Sequence, residues 1–180
     1  MRGEGKDRYW KKVGGERLGE FFRELHAGGL KAEHTAFVCI GTDRSTGDAL
    51  GPLVGSLLQE AGYPHVIGTL EQPCDASNLP IRLAEIPAGA TVIAIDAGLG
   101  QPGSVGLFQV SNQPLVPGKS VGKSLPAVGD YAIAAFVNAD GPRQISILQS
   151  TSLYRVMEMA KQLAGAIEAG LPLEARRVDY

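Results

Sequence analysis

The chain has 180 residues, 44% of them hydrophobic and 20% charged, which suits one globular domain with a sizeable core. A formal net charge of −2 supplies no global basic field, so sequence-independent nucleic-acid binding is not expected. No run reaches the roughly 18 apolar residues of a membrane span, and the opening MRGEGKDRYW lacks the apolar core of a secretory signal. Cys39 and Cys74 form no CxxC pair, which fits a reducing compartment better than a cysteine framework. The expectation is a soluble, intracellular protein with no nucleic-acid or membrane partner.

In chain order, the first periodic stretch is GERLGEFFRELHAGG. Leu18, Phe21, Phe22 and Leu25 recur at i, i+3, i+4 and i+7, and Gly28 and Gly29 end the pattern, which predicts a helix with one apolar stripe. The lead-in RYWKK reads as a solvated, frayed terminus, or alternatively as a basic aromatic surface for a membrane or partner. Residues 1–33 are therefore read as an N-terminal amphipathic extension and 34–180 as one α/β domain. The extension is expected to stay in place, because its stripe would otherwise leave a large apolar patch.

From Thr35 onward, short apolar runs alternate with helical segments. TAFVCI predicts a buried strand. ALGPLVGSLLQEAG predicts a helix with Leu50, Leu53, Val54, Leu57 and Leu58 on one face and Gly62 at its end. HVIGTL follows as a strand, ASNLPIRLAEI as a short helix with Pro80 near its start, and TVIAIDA as another strand. This alternation predicts a mostly parallel sheet covered by helices on both faces.

In the second half, SVGLFQV reads as a strand and QPLVPGKSVGKSLPAVG as a long Pro- and Gly-rich loop of the kind that carries function. DYAIAAFVNAD favours a helix capped by Asp130, on its alanines and the spacing of Ile133, Phe136 and Val137. QISILQ then reads as a last strand. SLYRVMEMAKQLAGAIEAG closes the chain as a helix with Leu153, Val156, Met157, Ala160, Leu163, Ala164 and Ile167 on its buried side.

Several motifs point away from common chemistries. GTDRSTGD has Asp48 where a phosphate-binding loop carries lysine, and GKSVGKS has a proline where the first glycine belongs. GLGQPG satisfies GxGxxG but leads into a strand, without the helix N-terminus that dinucleotide binding needs, and reads as tight turns. The three histidines all lie early with no CxxC, which argues against a closed zinc site, and no GxSxG elbow occurs. Cys39 reads as core and Cys74 as core or near-site.

A pair of acids is left. In an open parallel sheet, ligands bind beyond the carboxyl ends of the strands, and the expected topology brings Asp48 and Asp96 there. They read as helix and turn caps, as two carboxylates sharing a proton for acid–base work on water, or as ligands of a divalent metal.

CIGTDRSTGDALGPLVG, VIAIDAGLG, LPAVGDY and LQSTSLYRVMEMA closely resemble the YyaC-like sporulation protein family (DUF1256) from about Thr35 to Gly170. That family is related to the spore germination protease and, more distantly, to the hydrogenase maturation endopeptidases. The resemblance implies a three-layer α/β/α sandwich of the phosphorylase/hydrolase type. It also implies a peptidase of the mother-cell or forespore cytoplasm that acts on a small protein or peptide, with Asp48 and Asp96 as the catalytic acids. The loop of Gly41, Thr42, Asp43 and Gly47 and the loop bearing Lys123 would shape the cleft. Gly129 and Asp130 resemble the loop-to-helix junction of the germination protease. No resident cofactor is expected. The nickel-recognising histidine of the maturation endopeptidases has no counterpart near SLPAVGDY, so a divalent metal would rest on Asp48 and Asp96, with Asp130 as the substitute third ligand. A metal-recognising maturation endopeptidase and an inactive binding module are the alternatives, and a homo-oligomer is compatible with either.

Overall fold

The computed structural model describes residues 7–118, 122 and 124–175. The elements are β1 (Trp10–Val13), α1 (Leu18–Ala27), β2 (Thr35–Cys39), α2 (Leu50–Glu60), β3 (Val66–Ile67), α3 (Leu79–Leu83), β4 (Thr91–Gly100), β5 (Phe108–Ser111), β6 (Tyr131–Ala139), α4 (Gln144–Gln149) and α5 (Leu153–Gly170). Six strands form one mixed sheet in the order β1-β5-β6-β4-β2-β3. Neighbours from β3 to β6 pair in parallel, whereas β5 is antiparallel to β6 and β1 to β5.

Period-two alternation decides which side chains meet which layer. Phe37 and Cys39 of β2, Ile93 and Ile95 of β4, and Ile133, Ala135 and Val137 of β6 join one core with residues of α1, α2 and α5. Val38, Ile40 and Ala94 point to the other face and pack with Leu79 of α3, Cys74 and Val128. Helices therefore lie on both sides of a mostly parallel sheet, as the alternation predicts.

Helix α2 approaches the sheet closely at two glycines. A Cβ at Gly51 would fall on the Ile40 carbonyl oxygen, and one at Gly55 on that of Gly68. This contact seats the start of α2 over the carboxyl end of β2. On the same face, α1 packs against α5, with Phe21 and Phe22 edge to face at 5.2 Å and Phe21 against Tyr131 at 6.1 Å.

Four local expectations are corrected. DYAIAAFVNAD is the strand β6, not a helix. It is held between β4 and β5, and the alternation of Ile133, Ala135 and Val137 into the core outweighs the helical preference of its alanines. QISILQ is the helix α4 instead of a strand, and Leu148 is its buried residue. GLG belongs to β4, which runs on to Gly100, so it forms no turn. RYWKK contains β1, an edge strand paired to β5 from Trp10↔Ser111 to Val13↔Phe108.

In α5 the buried stripe is Val156, Met159, Ala160, Leu163, Ala164 and Ile167, while Leu153 and Met157 are exposed. Ser152 caps this helix by accepting a hydrogen bond from the Arg155 N–H at 3.3 Å. Ser152→Ala is expected to cost about 1 kcal/mol, read as a fall in Tm of about 2–4 °C. An unchanged Tm would mean that the cap contributes nothing.

Candidate active site

At the carboxyl end of β2 the chain must leave the sheet and return into α2. Gly41, at φ +147°, makes that exit, and a Cβ there would fall on the Asp48 carbonyl oxygen. The loop is clamped by backbone bonds, with the Gly41 N–H donating to Cys74 O at 2.9 Å and the Thr42 N–H to Asp48 O at 3.1 Å. A 3-10 turn, Gly47–Ala49, then leads into α2. Asp48 is therefore held by the backbone, with its side chain left for the cleft. Neither the turn nor α2 has a side-chain cap.

Asp96 is not the last residue of its strand. It lies in the middle of β4, but β2 stops at Cys39 opposite Ile95, so Asp96 is the first β4 residue beyond the end of β2. Its cross-strand partner in β6 is Ala134. With β4 continuing, no turn follows for it to cap.

The two acids share a cleft. One lobe of about 300 Å³ is bounded by Gly41, Thr42, Ser45, Ile40, Leu125 and Ile145, among others. A second, of about 360 Å³, is bounded by Ala97, Gly98, Leu99, Leu115, Val116 and Ala134. Asp48, Asp96, Pro117, Gly118 and Leu148 line both, so the acids stand at the junction.

Both residues are partly buried, and both carboxyls are pushed toward protonation. Burial raises Asp48 above the ordinary carboxylate range, and the Ser45 hydroxyl draws it only part-way back. Asp96 is raised well above that range, first by burial and then by the negative charge of Asp48, against a weaker pull from the Ala97 N–H. Because the charge of Asp48 opposes the ionisation of Asp96, the two titrate as a pair. The buried Ser45 oxygen comes close enough to influence Asp48 but makes no hydrogen bond of good geometry.

The other expected site residues divide. Gly41 and Thr42 line the first lobe. Asp43 is exposed and lines neither lobe, and Gly47 is buried beneath Leu148, which a Cβ would meet at 2.9 Å. Lys123 lies outside the described residues. Gly129 and Asp130 line neither lobe and lie just before the amino end of β6, with Asp130 four positions, or about 13 Å of extended chain, before Ala134. There Asp130 pins β6 to β4: its carboxylate accepts the Val92 N–H at 2.8 Å, and its own N–H donates to Val92 O at 2.8 Å. It caps no helix. Cys74 is fully buried outside both lobes with its thiol pushed up to about 11, chiefly by burial, so it is no nucleophile. Cys39 and Cys74 are both free.

Ser45, Ile145, Leu148, Gly98 and Ala134 are site residues that sequence reasoning missed. The α4 pair has a faint signal in the i, i+3 spacing of Ile145 and Leu148, and Ser45 in its place three residues before Asp48. Among the described residues, no three His, Cys, Asp or Glu side chains cluster as a metal site. No helix among them is long and apolar enough to cross a membrane.

The model of the family described as "Protein of unknown function (DUF1256)" matches residues 13–166. The chain belongs to the DUF1256 family. The match reaches back to Val13 and takes in α1, which the sequence motifs leave outside. A curated relative, "Uncharacterized protein YyaC" of Bacillus subtilis (strain 168), is 48% identical over 132 residues, covering 71% of this chain. The chain spans 64% of that relative's length. Among solved structures, a [NiFe] hydrogenase maturation protease, HycI, from Thermococcus kodakarensis KOD1 is similar at 20% identity and a TM-score of 0.46, covering 76% of this chain and 93% of that one.

Proposed function

We propose that this DUF1256 protein is a peptidase in which Asp48 and Asp96 share one proton and hydrolyse a peptide bond of a small protein substrate. The observation that carries the reading is the pair of carboxyls that stand together at the junction of two lobes, with the charge of Asp48 acting on Asp96. Burial alone does not raise Asp96; Asp48 acts on it directly.

The division of labour follows from the titration order. Asp48, the less strongly raised of the two, is the carboxylate that takes a proton from water as the water oxygen bonds to the scissile carbonyl carbon. Asp96, still protonated, gives its proton to the carbonyl oxygen. When the C–N bond breaks, the proton held by Asp48 passes to the leaving amine, and the new carboxyl returns one to Asp96, so the pair is restored. The Ser45 hydroxyl is placed to steady Asp48 in this cycle. Two carboxylates with no cluster of three metal-ligating side chains among the described residues, both biased toward their protonated forms, are a poor donor set for a resident divalent metal, and no step is assigned to one.

The sequence motifs shared with the YyaC-like family support a role in spore formation or germination, in the mother-cell or forespore cytoplasm. The direct test incubates the purified protein with a peptide digest of a bacterial lysate and counts new termini by mass spectrometry. New termini are expected with the native chain, absent with Asp48→Asn, and undiminished by EDTA. The proposal fails if no termini exceed the Asp48→Asn background, or if chelation abolishes cleavage while the substitution does not.

A further inference from the structure

The cleft continues past the acid pair, and the far lobe owes its room to two positions that carry almost no side chain. Gly98 lies two residues beyond Asp96 on β4, and Ala134 is the cross-strand partner of Asp96. Both line the second lobe. The backbone does not demand a glycine at 98. Its φ is not in the left-handed region, and a Cβ there would make only ordinary contact, 3.8 Å from Phe136 Cδ1. Gly100 differs, since a Cβ there would press on Phe136 at 2.7 Å. The fold would thus accept a side chain at 98, and its absence leaves space beside the acids.

The register shift between Gly98 and Leu99 places an extra residue, Val137, in β6, and Ala97, Gly98 and Leu99 of β4 all border the same lobe. Bulges of this kind re-aim side chains next to active sites. Apart from the acids and Gln144, the side chains that line the lobe are apolar, and backbone polar groups share its wall with them. Beyond Ala134 a third hollow of about 330 Å³ shares Leu115, Val116 and Ala134 with it and runs along the outer sheet face to Trp10, which is 63% exposed.

A ligand centred on the acids therefore has a lobe on each side and a further hollow adjoining the second lobe. That succession fits an extended chain. We propose that the Gly98–Ala134 lobe is a specificity pocket for an aliphatic side chain next to the scissile bond of an extended polypeptide, with the Trp10 hollow receiving the chain beyond it. The inference rests on reading the cleft as a peptidase site, but its readout is separate.

The probe is a displayed library of random octapeptides, panned at 4 °C against the immobilised native chain, Gly98→Val and Ala134→Leu. Valine suits a strand, and its Cβ at 98 would make only ordinary contact on a backbone that needs no glycine, and an unchanged Tm would verify folding. The second variant fills the same lobe from β6. The native chain is expected to enrich peptides with Leu, Ile, Val or Met at one position. Each filled variant is expected to lose that preference, with selected peptides binding at least about tenfold more weakly. No enrichment by the native chain, or the same aliphatic position surviving in both variants, would overturn the pocket. Aliphatic peptides bound through this lobe but never cut would retain the pocket and sink the peptidase reading. Cleavage with unaltered preference in both variants would do the reverse.

Discussion

Asp48→Asn and Asp96→Asn are each expected to lower kcat/KM at neutral pH by about 10²–10⁴-fold, the range that one general acid or base supplies. They should differ in what they do to the remaining acid. Asp48 titrates first, while Asp96 is still neutral, so its raised pKa reflects burial and not its partner's charge. Asp96 must then ionise against a charge already present. Removing Asp48 is therefore expected to bring the Asp96 pKa down toward the ordinary range without restoring it fully, because burial remains the larger cause. A carboxyl ¹³C NMR titration reads this directly. The native chain should show two coupled steps, and Asp48→Asn a single step at lower pH than the native upper one. An Asp96 step that does not move would mean that the acids are uncoupled, and the shared-proton mechanism would fall with it.

The same pair of steps sets the pH profile. Activity should rise as Asp48 loses its proton, at a pH above the usual carboxylate value, and fall as Asp96 loses its own, so both limbs belong to the pair.

What could be read in advance was local. FVCIGTDRSTGDALGP announces its strand, loop and helix because an apolar run meets glycines and then a 3.6-residue pattern within a few residues. The acids were legible for the same reason, each being a charge placed against an apolar strand or helix start. The lobes around them were not. β6 is a strand because β4 and β5 hold it, and the Ala-rich stretch carries no local sign of those neighbours. β1 pairs Trp10 with Ser111, about a hundred residues away, and no periodicity in RYWKK announces that partner. Gly98 has the meaning of a turn in isolation and of an opened lobe only once Asp96, Ala134 and Phe136 surround it. The chemistry was written in residue type, whereas the shape of the cleft came from long-range pairing.

The acid pair should also be visible in stability. A carboxyl whose folded pKa exceeds its unfolded value binds its proton more tightly in the native state. Its contribution is fully present below the unfolded pKa of about 4 and is lost as pH rises through the folded value. Both acids shift in this direction and Asp96 shifts further, so the native fold should weaken between about pH 4 and the upper step of the pair. Asp96→Asn removes the ionisation and keeps the shape. Its Tm is expected to match the native chain at pH 4, where Asp96 is a neutral acid, and to exceed it at pH 8. A tenfold difference in proton affinity between the folded and unfolded chain corresponds to about 1.4 kcal/mol, and each kcal/mol to about 2–4 °C in a domain of this size. A stabilising substitution that destroys activity is what a site held in an unfavourable state for function produces. The opposite result, an Asp96→Asn chain less stable than the native one at pH 8, would mean that the ionised carboxylate is itself held by a cation. In that case the pair would be a ligand set rather than a proton-sharing acid and base, and the assignment of both roles would have to be reversed in favour of metal binding.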